Sequence, residues 1–217
     1  EALKSQAAHD GLRSDLLCTK LMVPHLAAGL IDRPRLNTLL HQGADKRMVV
    51  VESPSGFGKT TLAAAWAHTL KEAGHCVAWL TVDEHDDDLV RFLSYLSGAL
   101  ECVLPPIDVD SISIEVDTPR LSTATVLGRL INVLSRQQND CYLFIDGYHF
   151  LQQTPIHEAV RYLLKHAPDN FHLVVTSCAQ LPFSLARLRG RGDLLDIDAS
   201  RLSFDLAETQ RLMEKTF

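Results

Sequence analysis

The chain has 217 residues, of which 46% are hydrophobic and 22% are charged, and its formal net charge is −6. This length and composition suit one α/β domain with a small appendage. The acidic balance argues against general nucleic-acid binding by this segment, because phosphate contacts need a basic face, and it leaves open DNA binding by another part of a longer protein. The five cysteines are scattered without a C-x-x-C pair, which favours reduced thiols and a cytoplasmic location. No run approaches about 18 uninterrupted apolar residues, so we expect no membrane span.

Apolar segments and amphipathic patterns alternate along the chain. Residues 1–18 are polar and predict a lead-in, and residues 102–118, with two prolines and several acids, predict an irregular excursion. The alternation predicts an α/β fold in three layers, with a five-stranded parallel sheet covered by helices on both faces. The strands are expected at 48–52, 76–82, 141–147, 172–178 and 194–198, and the helices at 33–42, 59–73, 88–101, 120–137, 156–166 and 205–217.

The sequence MVVVESPSGFGKTT joins the first strand to a helix through a loop of small residues. Gly56 and Gly58 allow backbone N–H groups to converge on a phosphate, while Lys59 extends a positive charge and the Thr60 hydroxyl suits Mg²⁺. A plain tight turn is the alternative, but a lysine directly after the second glycine argues against it. The segment therefore predicts a P-loop, although Ser53 stands where the pattern G-x-x-x-x-G-K-[ST] has its first glycine. The candidate nucleotide-binding residues are Ser55, Gly56, Phe57, Gly58, Lys59, Thr60 and Thr61.

A carboxylate follows the third predicted strand. The run CYLFID ends in Asp146 at the carboxyl edge of the sheet, where ligands of open parallel sheets bind. We expect Thr60 and Asp146 to hold Mg²⁺, with Asp146 as the catalytic, metal-linked acid; capping of the following turn is its alternative role. Residues 83–88 are rich in acids but do not have the spacing of a calcium-binding loop. We favour the interpretation that these acids form a solvated helix N-terminus.

Six segments in a fixed order extend the pattern over residues 19–213. They are TKLMVPHLAAGLIDRPRL, SPSGFGKTTLAAAWA, VAWLTVDEHDDDLVRFLSYLSGAL, LFIDGYHFL, VVTSCAQLPFSLARLRGRGDLLDIDASRLSF and a following helix. Together they resemble the ATPase domain of MalT-like regulators, the large ATP-binding LuxR-type transcription factors of the STAND class. The resemblance implies an extra strand between the P-loop strand and the Asp146 strand. It also implies that ATP favours self-association, that hydrolysis to ADP resets the protein, and that helical, sensor and helix-turn-helix domains follow.

The resemblance also sets the expected domain limits. We expect the P-loop NTPase domain at 19–200 and the start of a following helical module at 201–217. Asp205 and Glu208 have the spacing of a capping box at the start of that module. Arg33 resembles the arginine that the family carries at the entry to the domain, near the adenine or ribose. A simple charge at a helix start is an equal interpretation.

Two further positions depart from the family pattern. Gly147 stands where the family has a second acid after the third strand, and Cys178 stands where it has an arginine after the fourth. Because positioned charges supply most of phosphoryl-transfer catalysis, these changes predict slow or impaired ATP hydrolysis. Asp83 or Glu84 is a candidate substitute for the missing acid, and an arginine of 187–191 is a candidate substitute for the missing arginine.

The favoured function is a signalling switch that binds ATP or ADP with Mg²⁺. A P-loop kinase acting on a small molecule is one alternative, with the arginines of 187–191 as its candidate lid. A scaffold with a vestigial P-loop is the other. The loop recognises phosphates rather than bases, so the preference for adenine over guanine follows from the resemblance alone.

Overall fold

The computed structural model of the protein describes residues 16–27, 29–104 and 123–216. Most of the expected lead-in, most of the irregular excursion and the first residues of the helix expected at 120 lie outside these ranges. No helix in the described part is long and apolar enough to cross a membrane.

Strands and helices alternate through the described ranges, and the predicted elements are confirmed to within a few residues at each end. The strands are β1 (Met48–Glu52), β2 (Cys76–Thr81), β3 (Cys141–Asp146), β4 (Phe171–Ser177) and β5 (Leu194–Ile197). The helices are α1 (Pro34–Gly43), α2 (Lys59–Glu72), α3 (Leu89–Glu101), α4 (Thr123–Leu134), α5 (Thr154–His166), α6 (Ala186–Arg191), α7 (Ala199–Leu202) and α8 (Leu206–Thr216). Short 3-10 turns occur at Cys18–Leu21, Glu84–Asp86 and Tyr148–Phe150.

The five strands form one parallel sheet in the order β2-β3-β4-β1-β5. β4 therefore lies between β1, which leads into the P-loop, and β3, which ends in Asp146. This order confirms the inserted strand that the family resemblance implies. Every residue of β3 and β4 is buried, because a parallel sheet with helices on both faces excludes water from its central strands.

The two faces of the sheet carry separate hydrophobic clusters, because successive side chains of a strand point to opposite faces. In β3, Leu143 and Ile145 belong to the cluster that α3, α4 and α5 complete. Tyr142 and Phe144 belong to the cluster that α1, α2 and α7 complete. The fold is thus the predicted three-layer αβα sandwich. Asp146 continues the second series, which places its carboxylate on the side of the P-loop helix α2.

The last helix, α8, begins with the predicted capping box. The Asp205 N–H donates to Glu208 Oε2 at 3.0 Å, and the Glu208 N–H donates to Asp205 Oδ1 at 2.8 Å. Two N–H groups that the first helical turn leaves without partners are satisfied in this way. The side chains of Leu206 and Met213 on this helix are exposed.

Candidate nucleotide-binding site

The loop between β1 and α2 takes a conformation that needs glycine at two positions. Gly56 and Gly58 have φ values of +85° and +82°, a region that other residues enter only with strain. A Cβ atom at either position would meet nothing within 4 Å, so the cradle above the loop is open. Ser53 needs no such freedom, because no non-glycine residue in the described ranges has a positive φ. Its replacement of the first glycine therefore costs the loop no backbone strain.

Lys59 is the first residue of α2 and is 8% exposed. Its Nζ donates to the carbonyl oxygens of Ser53 at 2.7 Å and Pro54 at 3.0 Å, and lies 3.2 Å from Cys178 Sγ. The lysine charge is therefore held inside the loop, next to the N-terminus of a helix whose dipole favours anions.

The structure brings Thr60 and Asp146 together across 86 residues of sequence. Thr60 Oγ1 donates to the Asp146 carboxylate, with distances of 2.9 and 3.0 Å to its two oxygens. Thr176 of β4 donates to Asp146 Oδ1 at 2.5 Å and accepts the Gly147 N–H at 3.1 Å. Sequence reasoning missed Thr176. Strand alternation and the β3–β4 register point to it, since it follows the residue that pairs with Ile145.

These groups face a cavity of about 490 Å³ at the carboxyl edge of the sheet. Its lining includes six of the seven predicted loop residues together with Asp146; the exception is Phe57, whose exposed side chain does not contribute. The donor set fits a magnesium nucleotide, because hydroxyl and carboxylate oxygens suit Mg²⁺ and the open glycine loop suits phosphate. The lining residues are Ser55, Gly56, Gly58, Lys59, Thr60, Thr61, Thr81, Val82, Asp146, Gly147, His149, Phe150, Thr176 and Cys178.

Gly147 has no room for the second acid of the family pattern. Its φ is +91°, and a Cβ atom there would lie 2.7 Å from the carbonyl oxygen of Val82 and 3.3 Å from the Phe150 ring. The peptide that follows Asp146 is therefore shaped around a residue without a side chain.

His149, which follows Asp146 closely in the sequence, lies in the same cavity, although it was not among the predicted site residues. Its Nδ1 accepts the Cys178 N–H at 3.3 Å. Burial and the charge of Lys59 hold its pKa below the ordinary histidine value, and the nearby Asp146 only partly opposes them. The ring is therefore neutral at neutral pH, as its acceptor role requires.

The acidic residues after β2 are directed elsewhere. Asp83 Oδ2 lies 2.6 Å from Lys20 Nζ, and Asp83 Oδ1 accepts the His85 N–H at 2.9 Å. Lys20 also contacts the fully buried carboxylate of Asp86. Neither Asp83 nor Glu84 lines the nucleotide cavity, so the structure gives no support to either as the substitute acid. Among the residues described, no group of three or more His, Cys, Asp or Glu is arranged to hold a metal.

The side chain of Arg33 binds residues near the C-terminal end of the described chain. Its Nη2 donates to the carbonyl oxygens of Leu202 at 2.7 Å and Ser203 at 3.0 Å, and to Glu208 Oε2 at 3.0 Å. Its guanidinium also lies 4.5 Å from the centre of the Phe204 ring. These contacts tie the start of α1 to α8, and Arg33 does not line the cavity.

The arginines of α6 lie by a second groove. Arg187 and Arg191 line a groove of about 670 Å³ that borders the residues before β1, β4 and β5, at the opposite edge of the sheet. Arg189 donates to Asp196 Oδ2 at 2.8 Å. This groove is larger than the nucleotide cavity and is lined by several cationic side chains, but it contains neither the P-loop residues nor Asp146, so we assign the nucleotide site to the smaller cavity.

A family model described as Nephrocystin 3, N-terminal, matches residues 27–178, well over half of the chain. The chain belongs to this family. Among curated relatives, the HTH-type transcriptional regulator MalT of Vibrio campbellii is 34% identical over 197 residues, covering 91% of this chain and 21% of the relative. The MalT of Serratia proteamaculans is 33% identical over 199 residues, covering 92% of this chain and 22% of the relative.

These relatives confirm the resemblance to MalT-like regulators. The chain spans about a fifth of the length of these relatives. Among solved structures, the Aeropyrum pernix Orc1 protein in complex with DNA aligns with a TM-score of 0.58 and 16% identity, covering 89% of this chain and 50% of that chain. At this identity the likeness concerns the fold alone, and it agrees with the parallel α/β sheet described above.

Proposed function

We propose that this domain binds ATP or ADP with Mg²⁺ and serves as the nucleotide switch of a MalT-like transcriptional regulator. The observation that carries the proposal is the meeting of Lys59, Thr60 and Asp146 in one glycine-lined cavity at the carboxyl edge of the sheet. Three residues from two distant parts of the chain converge there, which a plain strand-to-helix turn would not require.

Each group has a distinct role in this proposal. The backbone N–H groups around Gly56 and Gly58 and the N-terminus of α2 receive phosphate oxygens, and Lys59 supplies a compact positive charge. Thr60 and Asp146 offer the oxygen ligands for Mg²⁺, and Thr176 fixes the orientation of the Asp146 carboxylate. When bound, Mg²⁺ neutralises part of the charge on the phosphate oxygens.

The composition of this site favours slow or absent ATP hydrolysis by this domain, because groups that assist hydrolysis are missing from it. The backbone at Gly147 leaves no room for a second carboxylate, and Asp83 is paired with Lys20. In the described ranges no arginine lines the cavity. Loss of one positioned transition-state donor typically costs about 10²- to 10³-fold in rate, and loss of an arginine finger about 10³- to 10⁵-fold. An ATP-bound state of this domain would therefore be long-lived.

A switch accounts for these features better than a kinase does. The arginines of 187–191, the candidate lid, lie at the groove on the opposite edge of the sheet. Because the curated relatives are HTH-type transcriptional regulators, we further propose that nucleotide state governs self-association of a longer protein with helical, sensor and helix-turn-helix parts.

Calorimetric titration of ATP and ADP, each with and without Mg²⁺, tests the proposal. We expect binding by the wild-type domain and a loss of about ten- to a hundredfold in Lys59→Ala, since a hydrogen bond to a charged group contributes about 1.5–3 kcal/mol. Lys71→Ala is the matched control, because Lys71 is exposed in the last turn of the same helix. It should bind as the wild type does.

Phosphate release measured on the same samples separates the alternatives. Almost no release together with tight binding supports a switch with impaired hydrolysis. Rapid release would contradict the argument from Gly147 and the missing arginine. An absence of binding to either nucleotide would refute the switch for this segment and favour the vestigial scaffold.

A further inference from the structure

Cys178, the residue directly after β4, contacts the lysine of the P-loop. Its Sγ lies 3.2 Å from Lys59 Nζ and 3.5 Å from Ser55 Oγ, and the residue lines the nucleotide cavity. The other hydrogen-bond partners of Lys59 Nζ within the described ranges are two neutral carbonyl oxygens. Among these direct partners of Lys59 Nζ, the thiol is thus the ionisable one.

The surroundings of Cys178 favour the thiolate. Burial acts to raise the pKa of the thiol, but hydrogen bonds with Ser55 and Lys59 and the lysine charge outweigh it, so the pKa lies below its ordinary value. Asp146 opposes this effect, and the other titratable group in contact, His149, is neutral at neutral pH. A thiolate rather than a thiol is the nucleophilic form of cysteine.

A polyphosphate in this cavity needs the same lysine. Lys59 of a P-loop interacts with phosphate oxygens, and the Cys178 sulfur 3.2 Å away is a competing partner, which carries a negative charge whenever the thiol is ionised. A group attached to the sulfur would project into a cavity of about 490 Å³ that the phosphates also require. The Cys178 sulfur and the nucleotide are therefore alternative partners of one cation.

We propose that the Lys59–Cys178 pair is an internal competitor of the nucleotide, and that Cys178 is a modification site which is reactive when the cavity is empty and blocks phosphate binding once modified. This inference rests on the proposed nucleotide function. The chemical class of modifier is a small hydroperoxide. The Cys178 sulfur attacks one peroxide oxygen, the S–O bond forms and the O–O bond breaks. Sulfur is oxidised by two electrons to sulfenic acid, and the other oxygen leaves as hydroxide or alkoxide and is protonated by solvent.

Labelling with iodoacetamide, followed by peptide mass spectrometry, tests the competition. The exposed Cys18 reports general thiol reactivity in the same sample. If only the empty site reacts, ligand slows labelling by a factor of 1 + [L]/Kd, about tenfold at ten times Kd. We expect ATP, ADP and inorganic tripolyphosphate to slow Cys178 in this way and to leave Cys18 unchanged.

The contribution of the lysine is tested through the pH dependence of labelling. In Lys59→Met the labelling midpoint of Cys178 should move to higher pH, because Asp146 and His149 remain and the stabilising cation is lost. Lys71→Met, in the last turn of the same helix, should leave the midpoint in place. An unchanged midpoint in Lys59→Met would overturn the ion pair.

Hydrogen peroxide treatment tests the block. Treated wild-type protein should lose at least about tenfold in nucleotide affinity and regain it with dithiothreitol, since sulfenic acid is reducible. Cys178→Ser should have the same affinity before and after treatment, whatever its starting value. If untreated protein binds nucleotide but Cys178 labels equally fast with and without ligand, the inference fails and the proposed function stands. If untreated protein binds no nucleotide in the calorimeter, the proposed function fails, and the competition fails with it.

Discussion

Substitution of Gly147 by alanine tests whether the backbone after Asp146 excludes a side chain. At φ +91° any residue other than glycine is strained, which costs about 1–2 kcal/mol. The added Cβ would also lie 2.7 Å from the Val82 carbonyl oxygen, a backbone atom that cannot turn away. That carbonyl belongs to a residue whose own N–H donates to the Asp146 carbonyl oxygen at 2.9 Å, so a shift disturbs the contact between the ends of β2 and β3.

The expected loss in the free energy of unfolding combines the two effects. Overpacking of this kind typically costs about 1–3 kcal/mol, so Gly147→Ala should destabilise the domain by about 2–5 kcal/mol. In a domain of this size each kcal/mol lowers the melting temperature by about 2–4 °C. Urea denaturation followed by tryptophan fluorescence measures the change.

Two other glycines separate strain from steric exclusion. Gly74 has a φ of +87° and would have nothing within 4 Å of its Cβ, so Gly74→Ala should show the strain alone, about 1–2 kcal/mol. Gly128 lies inside α4 with open space around its Cβ. Gly128→Ala should therefore stabilise the domain by about 0.5–1 kcal/mol.

The expected order of stability loss is Gly147→Ala, then Gly74→Ala, with Gly128→Ala stabilising, and this order tests whether the backbone at Gly147 excludes a side chain. If Gly147→Ala costs no more than Gly74→Ala, the Val82 carbonyl moves freely and the exclusion of a second carboxylate is refuted. If the ranking holds, Gly147→Asp should lose stability without gaining phosphate release, because the backbone would have to move before the new acid could approach the cavity.

Two further predictions concern the supports of the site. Thr176→Val removes the donor to Asp146 and the acceptor of the N–H that follows it, so we expect a loss of about 1–3 kcal/mol in urea denaturation and a smaller gain in ATP affinity on adding Mg²⁺; an unchanged magnesium dependence would contradict the positioning role. Lys20→Met leaves the buried Asp86 with Arg91 as its remaining charged partner, so we expect a loss of about 1.5–3 kcal/mol at neutral pH. Lys20 also pairs with Asp83, and the hydrogen bond from Lys20 lowers the pKa of Asp83. The stability that the Lys20–Asp83 pair contributes is therefore present above the unfolded-state pKa of Asp83 and disappears as pH falls through the lower folded-state value. The stability difference between wild type and Lys20→Met should therefore shrink below about pH 4, and a constant difference down to pH 2 would contradict the ion pair.

The sequence by itself determined the elements and the phosphate loop, because both depend on local chemistry. Apolar runs identified all five strands, and the glycines and lysine of the loop predict its conformation from their own backbone and charge preferences. The position of Asp146 could also be predicted from the sequence, since strand alternation and the carboxyl edge of a parallel sheet restrict where a carboxylate at the end of β3 points. The extra strand between the P-loop strand and the Asp146 strand came from the family resemblance, and the full strand order came from the structure, because hydrophobic patterns alone do not record which strands are neighbours.

The tertiary structure alone decided the partners of the charged and reactive groups. Asp83 contacts Lys20 from the segment before α1, and Arg33 binds Glu208 of α8, so neither lines the cavity that the sequence suggested for it. Cys178 reaches Lys59 across 119 residues because β4 is inserted next to β1. A long side chain has many partners within reach, and only the packed positions of distant segments select one of them.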